Sequence, residues 1–245
     1  LVVLGGRAPQ GRWGAGSLQE LDHVPILASI TKSSGTVTDP TQAGLDIFAA
    51  TRLAVTPHRG PVFCDFPLDV FGPAAGEVPA PEERDGRGAA PDDDAVGRLA
   101  DLIASAERPA FMVGSDVYWD GAWAELRAAV EHLRVPCFFN GLGRGMLPAD
   151  HELAFLRTRG LLKQRADLVV VLGTPLDFRL GFGSFGSAQV AHVVDAESQR
   201  APHVQVPTVV GDHRLVLGAL ASRAGDRRDH EDWIAELRAA ESAAA

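Results

Sequence analysis

Between residues 109 and 212 the chain carries five short apolar runs, each stopping on glycine, asparagine or aspartate. They are 111–113 before Gly114-Ser115, 135–139 before Asn140-Gly141, 168–172 before Gly173, 191–194 before Asp195, and 208–210 before Gly211-Asp212. Unbroken Val, Leu and Phe runs, in place of alternation, mark strands buried on both faces, as in parallel sheets covered by helices. Such open sheets take ligands in the crevice beyond the carboxyl ends of their strands. The small residues therefore fall where a ligand would approach backbone.

Between these runs the period becomes helical. Asp92, Asp93 and Asp94 precede Val96, Leu99, Ile103 and Ala106 on one face, which predicts an aspartate-capped amphipathic helix. Asp120 is expected to cap the next helix, with Trp123, Leu126, Val130 and Leu133 as its buried stripe. The alternation suits right-handed crossovers. One connection departs from it: residues 173–186 are rich in glycine, and each interior glycine costs a helix roughly 1 kcal/mol relative to alanine. A long structured loop at the ligand edge is expected there. A helix follows Asp212 to about Ala221, and residues 229–240 read as an amphipathic helix, with Trp233 and Leu237 on one side and little to pack against.

Residues 1–70 form a separate block. The chain opens without an initiator Met as an apolar strand running into Gly5-Gly6, so part of this domain is expected to lie upstream. Ser17 and Glu20 stand at capping-box spacing for a short helix within 17–27. Asp39-Pro40 predicts a helix start, with Ala43, Ile47 and Ala50 at helical spacing up to about Val55, and residues 61–66 read as a buried strand. Residues 71–91, dense in Pro, Gly, Ala and acidic side chains, read as a linker, 92–224 as a second domain, and 225–245 as a linker helix toward a domain absent from the chain.

Composition narrows the partners more than the fold. A 46% apolar and 22% charged content is that of a globular protein, and a net charge of −9 without a basic patch argues against nucleic acid and anionic membrane surfaces. No apolar stretch approaches the ~18 residues of a membrane helix, so a soluble cytoplasmic protein is the expectation. Cys64 and Cys137 sit inside strand-like runs as reduced packing residues, and the scattered histidines offer no metal-ligand spacing.

The densest glycine cluster after a strand is Asn140-Gly-Leu-Gly-Arg-Gly-Met-Leu-Pro148, where backbone N–H groups could meet a phosphate or simply form a tight turn. Asp177 and Arg179, two apart, could pair with each other to fix the loop or contact a ligand. Asp195 stands where dinucleotide folds place the acid that grips a ribose, or it caps a turn. No Ser-His-Asp arrangement, paired-carboxylate signature or Gly-Asp-Gly motif occurs. The residues describe a binding scaffold more clearly than a reaction centre.

Taken in order, Ser17-Leu-Gln-Glu20, Ser29-Ile-Thr-Lys32, Arg59-Gly-Pro-Val-Phe-Cys-Asp-Phe-Pro-Leu-Asp69, Glu107-Arg-Pro109, Asn140-Gly-Leu-Gly143, Ala166-Asp-Leu-Val-Val-Val-Leu-Gly173, Asp177-Phe-Arg179 and Gly211-Asp212 resemble the thiamine diphosphate enzymes of the acetolactate synthase family. The resemblance covers nearly the whole chain. It implies a Rossmann-like parallel-sheet α/β central domain over 92–224, preceded over 1–70 by the carboxyl-terminal part of an α/β pyrimidine-binding domain. It further implies decarboxylation of a 2-keto acid and carboligation, with thiamine diphosphate and Mg2+ held mostly outside this chain. The isolated chain is expected to be inactive and its parent a homodimer or homotetramer.

By the same resemblance, Gln19 and Lys32 would face the active site, with Leu18 where many relatives have phenylalanine. A structural FAD would touch Gly114, Ser115, Asn140, Gly141, Leu142, Thr158, Gly160, Asp177, Arg179, Asp195, Ala196, Gly211 and Asp212. Pro175 replaces an arginine common in that family. An alternative within the superfamily is a 2-hydroxyacyl-CoA or oxalyl-CoA lyase binding ADP or a CoA nucleotide. A sirtuin-like NAD-binding domain is a more distant one, and two cysteines cannot supply that fold's four-cysteine zinc module.

Overall fold

The computed structural model describes residues 1–72, 88–223 and 230–244. Most of the expected 71–91 linker lies outside the described residues. The chain divides into two compact units, Leu1–Gly86 and Arg87–Ala245.

The smaller unit is a three-stranded parallel sheet of β1 (Val2–Arg7), β2 (Ser33–Thr36) and β3 (Val62–Pro67), with β3 in the middle. Helices α1 (His23–Leu27) and α2 (Ala43–Val55) accompany it. β3 is buried along its whole length, as its apolar run predicts, and packs Val62, Cys64 and Phe66 with Ala50 and Ala54 of α2. At the carboxyl ends of the strands, Arg7 donates to the Thr36 hydroxyl at 2.8 Å and to the fully buried Asp65 at 3.3 Å.

Two helix starts in this unit differ from expectation. Asp39 does not cap α2; its carboxylate accepts from the amide and hydroxyl of Thr41, a local Asx turn that delays the helix to Ala43. Glu20 does reach back to the Ser17 amide, at 2.9 Å, but also takes the amides of Gly14 and Gly16. It closes a glycine loop, and α1 begins only at His23.

The larger unit is a six-stranded, wholly parallel sheet. In chain order it runs α3 (Asp93–Ser105), β4 (Pro109–Val113), α4 (Ser115–Trp119), α5 (Trp123–Leu133), β5 (Cys137–Phe139), β6 (Ala154–Phe155), α6 (Gly160–Arg165), β7 (Leu168–Leu172), β8 (Gln189–Val194), β9 (Thr208–Val210), α7 (His213–Ser222) and α8 (Glu231–Ala243). Across the sheet the order is β6-β5-β4-β7-β8-β9. The five expected strands are all present, and β6 is added at one edge.

Both faces of the sheet are covered. Phe111, Met112, Val113 and Val169 to Leu172 are sealed from solvent, and Val96, Leu99 and Ile103 of α3 join the same core. Asp92 accepts the Ala95 amide at 3.1 Å, the cap expected from sequence. The expectation for α8 fails in an informative way. Its Trp233, Ile234 and Leu237 are buried in the main core, and the Trp233 indole donates to the Pro109 carbonyl at 3.0 Å. The tail helix thus belongs to the core of the larger unit.

The second helix is also corrected. α5 starts at Trp123 after Ala122 without a side-chain cap, and Trp123 is exposed while Leu126, Ala129 and Val130 form the buried face. Asp120 ends α4 and sends its carboxylate elsewhere, to the start of α7.

Candidate functional site

Counted within the larger sheet alone, the strand order is third, second, first, fourth, fifth, sixth. Connections leave the first and fourth strands, β4 and β7, in opposite directions, and a crevice opens between their carboxyl ends. Gly114 follows β4 and Gly173 follows β7.

Backbone packing at this point is too close for side chains. A Cβ on Gly114 would lie 2.3 Å from the Thr174 Cβ and 2.4 Å from the Gly173 carbonyl oxygen, and one on Gly143 would lie 2.3 Å from the Val113 carbonyl oxygen. Gly173 has a φ of +60°, in the region that favours glycine. The loops are tied together by the Gly114 amide to Leu172 O (2.8 Å), the Asp116 amide to Gly173 O (3.0 Å) and the Asn140 amide to Val113 O (2.8 Å). The Ser115 hydroxyl accepts the Leu142 amide at 3.1 Å, and the Asn140 side-chain amide donates to the Thr174 hydroxyl at 3.3 Å. Gly114, Ser115, Asn140, Gly141 and Leu142 are therefore one constellation. Gly173 and Thr174 join it, the strand end and first loop residue that the sequence placed at the ligand edge without naming them as contacts.

The other expected residues divide. Asp177 and Arg179 pair with each other at 2.6 Å, and Asp177 also accepts the Arg179 amide, which opens the turn at Phe178–Gly183. The guanidinium holds the Asp177 carboxyl below its ordinary range and is itself raised by it. The loop-fixing role left open by the sequence is thus present, while the outer side of Arg179 remains accessible. Asp195 is buried at the end of β8, with its carboxylate within 4.8 Å of that of Asp116; Ala196 follows it.

Gly211 and Asp212 face inward. A Cβ on Gly211 would lie 2.9 Å from Pro91, and the fully buried Asp212 carboxylate accepts from the Gly88 amide, the Arg214 amide and the Arg214 guanidinium. These donors outweigh burial and leave its carboxyl below the usual range. Asp212 caps α7 and is committed to that role. Thr158 is nearly buried, with amide and hydroxyl both donating to Glu241, while Gly160 has open space where a side chain would stand.

Gln19 and Lys32 lie in the smaller unit. Gln19 holds a φ of 61° and its carbonyl accepts the Ala8 amide, a turn-forming role. The Lys32 ammonium donates to the carbonyls of Leu53 and Thr56 at 2.8 Å each, closing the end of α2. Neither thiol is activated. Burial pushes Cys137 well above the ordinary thiol range and Cys64 above it, the latter helped by Asp46 and Asp65.

Beneath the crevice lies a buried polar layer that the sequence did not announce. His213, at the start of α7, sets its Nδ1 2.6 Å from the Asp120 carboxylate, which also accepts the His213 amide at 2.9 Å. His192, in the middle of β8, sets its Nε2 3.0 Å from the Thr174 carbonyl. All three side chains are out of solvent.

The family model described as the central domain of thiamine pyrophosphate enzymes matches residues 96–220. The acetolactate synthase large subunit of Mycobacterium tuberculosis is 41% identical over the whole chain, which spans 45% of that protein. Human 2-hydroxyacyl-CoA lyase 2 is 30% identical over 75% of the chain and 35% of its own length. The crystal structure of a benzoylformate decarboxylase from Polynucleobacter necessarius superposes with a TM-score of 0.78 over 95% of this chain and 46% of that one; at 24% identity it speaks for the fold alone. The chain spans less than half the length of each of these proteins.

Proposed function

We propose, for a chain that belongs to the thiamine pyrophosphate enzyme family, that its parent is an acetolactate synthase-like enzyme and that the larger unit is its flavin-holding central domain. Membership in that family removes the sirtuin-like alternative. The observation that carries the reading is the 41% identity to an acetolactate synthase across the whole chain, and the parallel sheet with glycine-lined switch point supports it. Domain limits of 92–224 for the central domain and 1–70 for the pyrimidine-binding part remain part of this proposal.

The switch-point residues fit the nucleotide half of FAD. Gly114, Gly141 and Gly143 let the loops after β4 and β5 pack tightly against each other and against Gly173-Thr174, which shapes the crevice in which a phosphate would lie, and Asp195 with Ala196 ends the strand that would face a ribose. Leu142, Phe178 and Phe182 are exposed and would cover the apolar part of the ligand. Asp212 takes no part, because its carboxylate is spent on the start of α7, and Gly211 packs against Pro91 with its amide on the Val194 carbonyl.

Thiamine diphosphate with Mg2+, bound elsewhere in the parent, supplies the carbanion chemistry that decarboxylates a 2-keto acid and joins the remainder to a second carbonyl. The residues of this chain would position the flavin and wall the site, with Gln19 and Lys32 as the proposed active-site-facing pair. A cytoplasmic homodimer or homotetramer completes the proposal.

The full-length protein is expected to purify with flavin absorbance and to form acetolactate from pyruvate. The isolated 245 residues should show no pyruvate turnover with thiamine diphosphate and magnesium supplied. Tight binding of ADP or CoA without flavin would replace this reading with the 2-hydroxyacyl-CoA lyase one, which the 30% identity to such a protein keeps in view.

A further inference from the structure

Glu241, in the last turns of α8, occupies a place usually left to a bound anion. One carboxylate oxygen accepts the amides of Leu156 and Arg157, each at 2.9 Å. The other accepts the amides of Arg157 and Thr158 at 3.1 Å each and the Thr158 hydroxyl at 2.8 Å. Burial acts to raise its carboxyl, but these donors win and hold it below the ordinary range.

The helix does not need this contact to stay in place. Trp233, Ile234 and Leu237 anchor it in the core, and Arg238 pairs with Glu152 at 2.9 Å. The segment that needs it is the other partner. Residues 156–158 follow β6, a two-residue edge strand with few ladder bonds of its own. They lead into Arg159, whose guanidinium donates to the Arg179 carbonyl at 2.7 Å. Contacts therefore run without a gap from Glu241 through residues 156–158 and Arg159 to the Asp177–Arg179 loop. Arg159 is also held below its ordinary range by burial and by the charge of Arg144, a crowding of cations that an anionic ligand would relieve.

We propose that Glu241 is a positioning residue for the nucleotide edge, fixing residues 156–158 so that Arg159 and the Asp177–Arg179 loop stand ready for the diphosphate of a nucleoside diphosphate ligand. This rests on the reading that the edge binds a nucleotide. Glu241 does so from outside the site, and its carboxylate keeps the ligand's phosphates off the three amides it occupies.

ADP, the portion shared by FAD and CoA nucleotides, is the probe, titrated calorimetrically into the full chain and its variants. Glu241→Ala is expected to weaken ADP roughly 10- to 100-fold, the range typical when an outer partner of a binding group is lost. Glu241→Gln, which keeps one acceptor oxygen, should recover part of it. The buried emission of Trp233, the other three tryptophans being exposed, should not change in either variant. Equal ADP affinity in wild type and Glu241→Ala overturns the positioning role alone; no ADP binding by wild type overturns the nucleotide reading and this role with it. Loss of the Trp233 signal in Glu241→Ala makes the residue a helix anchor and also overturns the role. Should that variant not fold, Thr158→Val, which removes one donor, is expected to lower ADP affinity severalfold, and an unchanged affinity counts against the proposal.

Discussion

Replacing Asp120 by alanine is expected to lower the unfolding free energy of the larger unit by about 2–3 kcal/mol, the upper end of the usual penalty for leaving buried hydrogen-bonding groups without their partner. The Asp120 carboxylate and the His213 imidazole are both fully out of solvent, and a single carboxylate oxygen serves the ring Nδ1 and the His213 amide. Among the described residues the other ring nitrogen has no hydrogen-bond partner. Without the carboxylate the whole ring stands unpaired in the interior, and the first turn of α7 loses an acceptor for an amide that no helical carbonyl reaches. Total stabilities of ~5–15 kcal/mol make this a large share. Urea unfolding followed by Trp233 emission isolates the larger unit. A loss below ~1 kcal/mol would show that the junction of α4 with α7 is held by packing alone.

The second large effect is a loss of stability on acidification. His192 is buried in β8 and its pKa is lowered from 6.5 to about 4, chiefly by burial, against the partly restoring Thr174 carbonyl and with a further push from His213. The unfolded chain therefore takes a proton on this residue near pH 6.5, and the folded one only near pH 4. Between those values the unfolded state binds more protons, so stability falls as pH falls, by a total of roughly 3 kcal/mol. Above pH 6.5 the residue makes no pH-dependent contribution. Unfolding free energies at successive pH values, set beside those of His192→Gln, check this. The variant should lack that slope, and identical slopes in both would assign the acid sensitivity to other groups.

The strand ends of the larger unit were legible because burial on both faces turns a parallel strand into an uninterrupted apolar run, and the turn beyond it demands small residues. β6 was not, since Ala154 and Phe155 are too short to form a run and pair only because Cys137 and Phe138 lie beside them. Asp120 misled for a physical reason. Three residues before an apolar stripe, it satisfied the local rule for a helix cap, yet Gly121 at φ +68° turns the chain and leaves the carboxylate to a histidine far along the sequence. Asp39 failed through a contact two residues away, which outcompeted the helix. Within the candidate site, the Gly114, Ser115 and Asn140 to Leu142 cluster was readable from glycine spacing. The partners of Asp212 and Thr158 were not, because Gly88 and Glu241 reach them across long stretches of chain.

The position of β4 also bears on how the chain is made. It is the first strand of its sheet to leave the ribosome and sits in the middle, with β5 on one side and β7 on the other. β5 follows closely, but the pairing of Pro109 with Leu168 must wait for roughly sixty further residues. Until then the nascent chain displays a bare, apolar strand edge of the kind that recruits neighbouring polypeptides. Synthesis that stalls between β6 and β7 would leave the most aggregation-prone form of this sequence, and expression fragments ending in that interval should be the least soluble.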